Sequence, residues 1–307
     1  MGNSILNTTT RDALAVLLRM APGWLRGRGR LGGGINWLFG PGRCDEESLR
    51  VIRMKGGWRV KLDLRTGTER SPFYTGEYDT HLMKWVFKAI DPCWTVVDVG
   101  AHIGLWSIPL ARCLDKGLGG RLVAIEPVPP NRERLRENLA LNGLDNVTTV
   151  VPAAVGEKPG TCKLRLGEAG KTGNASVLKN ITQLPDSTDL SRIYDVQMSS
   201  MDDIFVSCAL RRCDFIKIDV EGFELPFIRG AMKTLTEYRP ILLGEFNNWF
   251  MAQWGFTFDE VWEHVAPLGY AWYLETKQGW VPFEGRKTDT QNLLLWPKSR
   301  KRPGPLR

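Results

Sequence analysis

The run Thr95-Val-Val-Asp-Val-Gly-Ala-His-Ile-Gly-Leu105 constrains this 307-residue chain more than any other segment. Val96, Val97 and Val99 are β-branched and suit a strand covered on both faces. Gly100 ends that strand. With no Cβ, Gly100 and Gly104 let backbone approach a ligand closely. The helix expected next, over Leu105 to Leu114 and bent at Pro109, offers free N–H groups to polar or anionic ligand atoms. A buried strand, a glycine turn and a helix predict an α/β fold with a nucleotide-like ligand at the turn.

The glycine spacing narrows the ligand. Dinucleotide folds carry G-x-G-x-x-G here, whereas Gly100 and Gly104 form G-x-x-x-G with Asp98 two residues earlier. No pyrophosphate needs wrapping, and the pattern suits S-adenosylmethionine, whose amino-acid end is zwitterionic. A second apolar strand, Arg121-Leu-Val-Ala-Ile-Glu126-Pro127, completes a β-α-β unit and ends in a carboxylate that can accept from both ribose hydroxyls. NAD stays open from Glu126 alone. A third strand, Asp214-Phe-Ile-Lys-Ile-Asp219-Val-Glu221-Gly222-Phe-Glu224, ends in three acids around a glycine. Leu225, Phe227, Ile228, Ala231 and Leu235 then mark the apolar face of a helix. Charged groups at the carboxyl ends of sheet strands lie where open α/β sheets bind ligands.

With these segments in view, the chain resembles the FkbM family of S-adenosylmethionine-dependent methyltransferases. Val97 to Gly104, Ala124 to Pro127 with Pro130 and Asn131, and Phe215 to Gly222 carry the resemblance, which spans about Leu49 to Trp296. It implies a class I (Rossmann-like) methyltransferase fold, a mostly parallel seven-stranded sheet flanked by helices, and O-methylation of a hydroxyl on a sugar, glycan or secondary metabolite. A methyltransferase for protein or nucleic acid, or a non-catalytic S-adenosylmethionine-binding module, is the alternative. The expected cofactor contacts are Asp98, Gly100, Ala101, His102, Gly104, Glu126, Pro127, Ala153 and Ala154, the two alanines beside the adenine. His102 departs from the asparagine usual in the family.

Methyl transfer to a hydroxyl needs alignment and a positioned base. Asp219 is the preferred base. Lys217, two residues back on the same strand face, pairs with it or stabilises the developing alkoxide. Glu221 serves as base or orients the acceptor, and His102 is a lesser candidate for base. Acceptor contacts are expected from Asn174 and Ser176, in the polar insert Gly167 to Asp189, where the family carries a small-residue and serine motif. Glu245, Asn247 and Trp249, after the strand Ile241 to Glu245, complete the set. Aromatic residues there suit stacking on a sugar ring, although 12 tryptophans and 12 phenylalanines also suit ordinary packing. Asp219 with Glu245, Asn247 and Asn248 offers hard oxygen ligands, so Mg²⁺ is a secondary reading that is not preferred, and no metal is assigned.

A hairpin is predicted from Leu49 to Leu64 around Lys55-Gly56-Gly57, an N-terminal extension that precedes the core sheet and covers one edge of it. Helices are expected over Tyr78 to Ile90 and Asn131 to Asn142, the latter stopped at Gly143. Further strands are expected at Val147 to Val151, Lys163 to Leu166, Tyr270 to Glu275 and Asn292 to Trp296.

The net charge of +7 concentrates at the two ends. Residues 1–45 read as a basic Gly/Arg-rich arm, 46–297 as the methyltransferase domain and 298–307 as a basic tail, the arms solvated and flexible. An amphipathic helix over Arg11 to Met20, resting on a membrane or partner, is the alternative for the start. Nucleic-acid binding through the arms is not preferred. Oligomeric state is not legible. The six cysteines lack C-x-x-C spacing, which argues against zinc and fits reduced thiols in a cytoplasmic protein. No apolar run is long enough to span a bilayer.

Overall fold

The computed structural model describes residues 2–21, 27–39, 48–166, 175–177, 190–276, 279–284 and 290–300. Two helices, α1 (Gly2–Met20) and α2 (Arg28–Phe39), precede a hairpin of β1 (Leu49–Arg53) and β2 (Arg59–Asp63), then α3 (Gly67–Thr75) and α4 (Thr80–Ala89). The first half of the core follows as β3 (Thr95–Val99), α5 (Ser107–Ala111), β4 (Arg121–Ile125), α6 (Pro129–Ala140) and β5 (Thr148–Val151). A side sheet is drawn from β6 (Ala154–Val155), β7 (Gly160–Leu166), β8 (Ala175–Val177) and β9 (Ile193–Ser199). After α7 (Met201–Ser207) the chain returns as β10 (Phe215–Ile218), α8 (Glu224–Gly230), α9 (Met232–Tyr238) and β11 (Ile241–Asn247). It closes with α10 (Asn248–Gln253), α11 (Phe258–Val265), β12 (Tyr270–Thr276), β13 (Gly279–Pro282) and β14 (Thr290–Pro297).

The main sheet runs β13-β12-β14-β11-β10-β3-β4-β5. Strands β11, β10, β3, β4 and β5 are mutually parallel, whereas β14 is antiparallel to both β11 and β12. This is the class I methyltransferase arrangement, extended from the expected seven strands to eight because β13 folds back on β12. Alternation explains the two-sided core. Val96, Leu122 and Ala124 join one apolar cluster, while Val97, Val99, Val123 and Ile125 join the other. From β3 the chain moves outward through β4 to β5, then returns to β10 on the far side of β3. That reversal leaves a crevice at the carboxyl ends of β3 and β10, the usual ligand position in such sheets.

Several elements differ from expectation. The helix after the glycine loop is only five residues long, since Pro109 lacks an N–H and the chain turns off at Cys113. The hairpin does not extend the main sheet. It forms its own two-stranded sheet and binds α6, where Asn138 Oδ1 accepts from Lys61 N–H at 2.7 Å and Asn138 Nδ2 donates to Ile103 O at 2.9 Å. Lys163 to Leu166 belongs to the longer β7, whose main partner β9 escaped sequence reasoning although Tyr194, Val196 and Met198 alternate there with Asp195, Gln197 and Ser199.

Within the described residues, both basic ends make contacts with the body of the protein. Both α1 and α2 pack on α3, because Ala15 and Gly32 turn small surfaces inward and arginines find acceptors. Arg19 donates to Phe73 O at 2.5 Å, and Arg28 pairs with Glu77 at 3.2 Å. At the other end Arg300 reaches Asp214 at 3.3 Å and lies over Trp94. Residues 301–307, Cys44 and most of the polar insert lie outside the described residues.

Candidate active site

The tips of β3, β4 and β10 are tied together by backbone. Gly100 and Ala101 N–H groups both donate to Ile125 O at 3.0 Å, and Asp219 N–H donates to Val99 O at 3.1 Å. Gly100 has φ +79°, and a Cβ there would lie 1.9 Å from Asp219 O. Only glycine allows the two loops to meet at the reversal point.

Beside that contact opens a cleft. Gly100, Ala101, His102, Glu126, Pro127, Ala153 and Ala154 line it, as do Lys217, Asp219 and Glu221. Glu126 is only 4% exposed. Its Oε2 accepts from His102 N–H at 2.8 Å, and its Oε1 accepts from Val128 N–H at 3.0 Å. Burial pushes its pKa up to about 7 against the pull of those donors. The side sheet supplies the opposite wall through Ala154, Leu164 and Met198.

Two residues expected at the cofactor stand one layer back instead. Asp98 is fully buried, accepts from Ser107 Oγ–H at 2.6 Å and lies 3.8 Å from Lys217 Nζ, so it supports the lysine rather than the cleft wall. Gly104 gives α6 room to approach, since a Cβ would lie 2.9 Å from Leu135. His102 keeps its place at the wall in a left-handed conformation, φ 50°, with a buried Nε2 that has no hydrogen-bond partner among the described residues. Burial lowers its pKa and favours neutral imidazole.

Lys217 Nζ donates to Asp219 Oδ2 at 3.0 Å. Burial alone would push this ammonium down, but Asp219 and Asp98 outweigh it and raise the pKa. Lys217 is therefore a fixed positive charge. The Glu221 pKa also rises, to about 7, through burial and then the charges of Asp219 and Glu245, which favour the neutral acid. Its φ of 50° turns the chain sharply before Gly222.

A second, smaller cleft meets the first at Trp106, Lys217 and Asp219. Glu245 lines it with Asp79 and Asn292. Asp79, which accepts from Trp106 Nε1–H at 2.9 Å, and Tyr78, in the wall of the large cleft, escaped sequence reasoning. They lie some 140 positions from Asp219 and carry no motif; the one available signal was a Tyr-Asp pair before a helix. Burial and the surrounding carboxylates raise the Tyr78 pKa, so its phenol stays protonated and can donate.

The other expected acceptor contacts fall elsewhere. Asn247 Oδ1 caps α10 by accepting from Trp249 N–H at 3.0 Å and Phe250 N–H at 3.2 Å. Trp249 is 69% exposed and packs edge-on against Phe250. Neither lines the two clefts. Ser176 belongs to β8, where its backbone pairs with Arg165, and Asn174 lies outside the described residues. Among the described residues no group of three or more His, Cys, Asp or Glu side chains is arranged to hold a metal ion.

Residues 98–271 match the methyltransferase FkbM domain. The chain is 30% identical to methyltransferase sdnD of Sordaria araneosa over 157 residues, 44% of this chain and 60% of that protein. It is 28% identical to the AMB antimetabolite synthetase AmbE of Pseudomonas aeruginosa over 182 residues, half of this chain but 8% of that protein. The chain thus spans less than two thirds of these curated relatives. Among solved structures, the methyltransferase FkbM from Methylobacillus flagellatus KT superposes with a TM-score of 0.42 at 17% identity, covering 95% of this chain and 58% of that one. The domain match, which takes in both strand-tip loops, carries the weight.

Proposed function

Because the chain belongs to the FkbM methyltransferase family, we propose that it transfers a methyl group from S-adenosylmethionine to a hydroxyl of a sugar, glycan or secondary-metabolite acceptor. The observation that carries this reading is the Lys217–Asp219 pair, 3.0 Å apart, at the junction of a large cleft and a small one. The large cleft suits the cofactor. Gly100 and Ala101 leave its floor open, Glu126 offers carboxylate oxygens at its rim and Ala153 and Ala154 give a flat apolar wall. S-adenosylmethionine supplies a methyl group already activated on a sulfonium.

The small cleft suits the acceptor. A hydroxyl entering past Asp79, Glu245 and Asn292 reaches Asp219, which takes its proton as the oxygen attacks. Lys217 stays charged beside it and stabilises negative charge developing on that oxygen. Asp98 and Ser107 hold the lysine from below. Glu221 lines only the large cleft, which supports Asp219 rather than Glu221 as the base. Tyr78 donates from the cleft wall and helps align the reactants.

Titration calorimetry with S-adenosylmethionine tests the cofactor, and no binding ends the reading. Acceptor screening with a labelled methyl donor then tests the transfer. Label on a polyol or glycan oxygen supports it; label confined to protein, nucleic acid or amine nitrogen refutes it.

A further inference from the structure

We propose that Asn292 selects the acceptor: its carboxamide oxygen takes a hydrogen bond from a second hydroxyl of the molecule whose first hydroxyl meets Asp219. The acceptor is then a polyol rather than a simple alcohol. This rests on the reading of the small cleft as the acceptor's. Strand register sets Asn292 in line with the base. Glu245 on β11 stands directly opposite Asn292 on β14. The β10–β11 ladder ends at Ile218 and Gly244, so Asp219 and Glu245 come next. The β12–β14 ladder ends at Leu274 and Leu293, so Glu275 and Asn292 come next. Four polar residues thus form one row across β12, β14, β11 and β10. Phe215, Leu243, Tyr273 and Leu294, two or four positions away along the same strands, share one apolar cluster. Period-two alternation therefore sets the whole row on one face.

Hydrogen bonding fixes which way the Asn292 amide faces. Its Nδ2 donates to Glu275 Oε2 at 2.7 Å. A carboxylate has no proton to give, so the amide shows it the NH₂ group and keeps the oxygen for another partner. Glu275 is held in turn, because its Oε1 meets Nδ1 of His81, in the first turn of α4, at 2.7 Å. Asn292 Oδ1 has no hydrogen-bond partner among the described residues, and Asn292 lines the small cleft beside Glu245. Glu275 is thus a positioning residue for Asn292.

This arrangement sets the chemistry of the guest. Lys217, the cation in the cleft wall, is already held by Asp219 at 3.0 Å and Asp98 at 3.8 Å. Glu245 and Asn292 offer oxygens that can only accept. Two strand spacings of about 4.8 Å each separate the backbones of Asp219 and Asn292, so separate hydroxyls of one molecule serve them. The amide oxygen is neutral, which suits a hydroxyl over an ammonium. An alcohol without the second hydroxyl leaves that oxygen desolvated and unpaired, and the cleft discriminates against it.

Saturation-transfer NMR of the full chain with S-adenosylhomocysteine tests this without turnover, using myo-inositol and cyclohexanol as probes. Myo-inositol should bind about tenfold more tightly than cyclohexanol. Asn292→Leu keeps the size of the side chain and removes the oxygen. It should lose about tenfold for myo-inositol and nothing for cyclohexanol, with the thermal melt and the S-adenosylmethionine Kd unchanged. Glu275→Gln can present its own NH₂ group and turn the Asn292 amide round, so it should show the same selective loss. The proposal is overturned if neither probe binds, if cyclohexanol binds as well as myo-inositol, or if Asn292→Leu binds both like the parent. Displacement of myo-inositol by an equal concentration of 2-aminocyclohexanol also overturns it, since the row then reads charge. Selective myo-inositol binding that depends on Asn292, in a chain that methylates no alcohol, upholds the role of Asn292 and removes that of Asp219 as base. The two readings therefore fail separately.

Discussion

The two halves of the cleft are built from different materials. The cleft proposed for the cofactor is anchored by backbone contacts at the strand tips: Gly100 and Ala101 donate to Ile125, and Glu126 is pinned by the N–H groups of His102 and Val128. The cleft proposed for the acceptor is lined by residues gathered from Asp79 to Asn292, with Asp219 where it meets the larger cleft. Burial and mutual repulsion raise the pKa of Asp79 and Glu245 there, and Lys217 is the only cation among the residues lining it. A pocket held by backbone geometry fits one fixed molecule. A pocket of opposed side-chain charges can change its guest by substitution at its rim.

Separate variants should affect the halves separately, and the largest effect is expected at Asp219. Asp219→Asn should lower kcat about a thousandfold while the S-adenosylmethionine Kd from calorimetry stays within about twofold. Simultaneous loss of cofactor binding would show that the halves are not independent. Gly100→Ala should break both at once, because its Cβ collides with Asp219 O and its φ is +79°. A stability loss of about 3 kcal/mol in urea denaturation is expected; a variant as stable as the parent would mean the two loops can part cheaply.

Glu126 sharpens the cofactor half. In the proposed site the ribose hydroxyls donate to the ionised carboxylate, and burial holds this group near pKa 7, above its ordinary value of 4.5. Cofactor affinity should therefore strengthen as pH rises from 6 to 8, by about tenfold. Glu126→Gln should weaken binding about tenfold at pH 8 and flatten that dependence. A pH-independent wild-type Kd would remove Glu126 from ribose binding.

The smallest effect is expected at Glu224, beneath the loop that joins the halves. Its Oε1 accepts from Gly222 N–H at 3.0 Å, Oε2 is buried with no hydrogen-bond partner among the described residues, and burial pushes its pKa to about 8. The folded state thus keeps a proton that the unfolded state releases between about 4.5 and 8. Stability from this group falls as pH rises through that window. Glu224→Gln should gain about 1 kcal/mol at pH 8 and change little at pH 4. Equal effects at both values in chemical denaturation would argue against a buried charge.

Much of the fold was legible because strand tips and glycine turns are local. Val96 to Gly100, Glu126 and Lys217 to Asp219 all lie at strand ends read from the chain. Site residues were less legible where one residue type serves two purposes. Gly104 looked like a ligand glycine and makes room for Leu135; Asp98 looked like a contact and braces Lys217. Asn247 looked like an acceptor ligand and caps α10. In each case the residue type was informative, but its neighbours decided its use.

Local pattern by itself determined the strand and helix periods, the glycine-permitted turns and the family, since these depend on residues adjacent in the chain. Tertiary structure alone decided that β14 inserts between β11 and β12, that Asp79, Trp106 and Asn292 meet Asp219, and that a basic start becomes two packed helices. These outcomes depend on which distant surfaces exclude water together and which charges must then pair. That competition is settled across the whole chain.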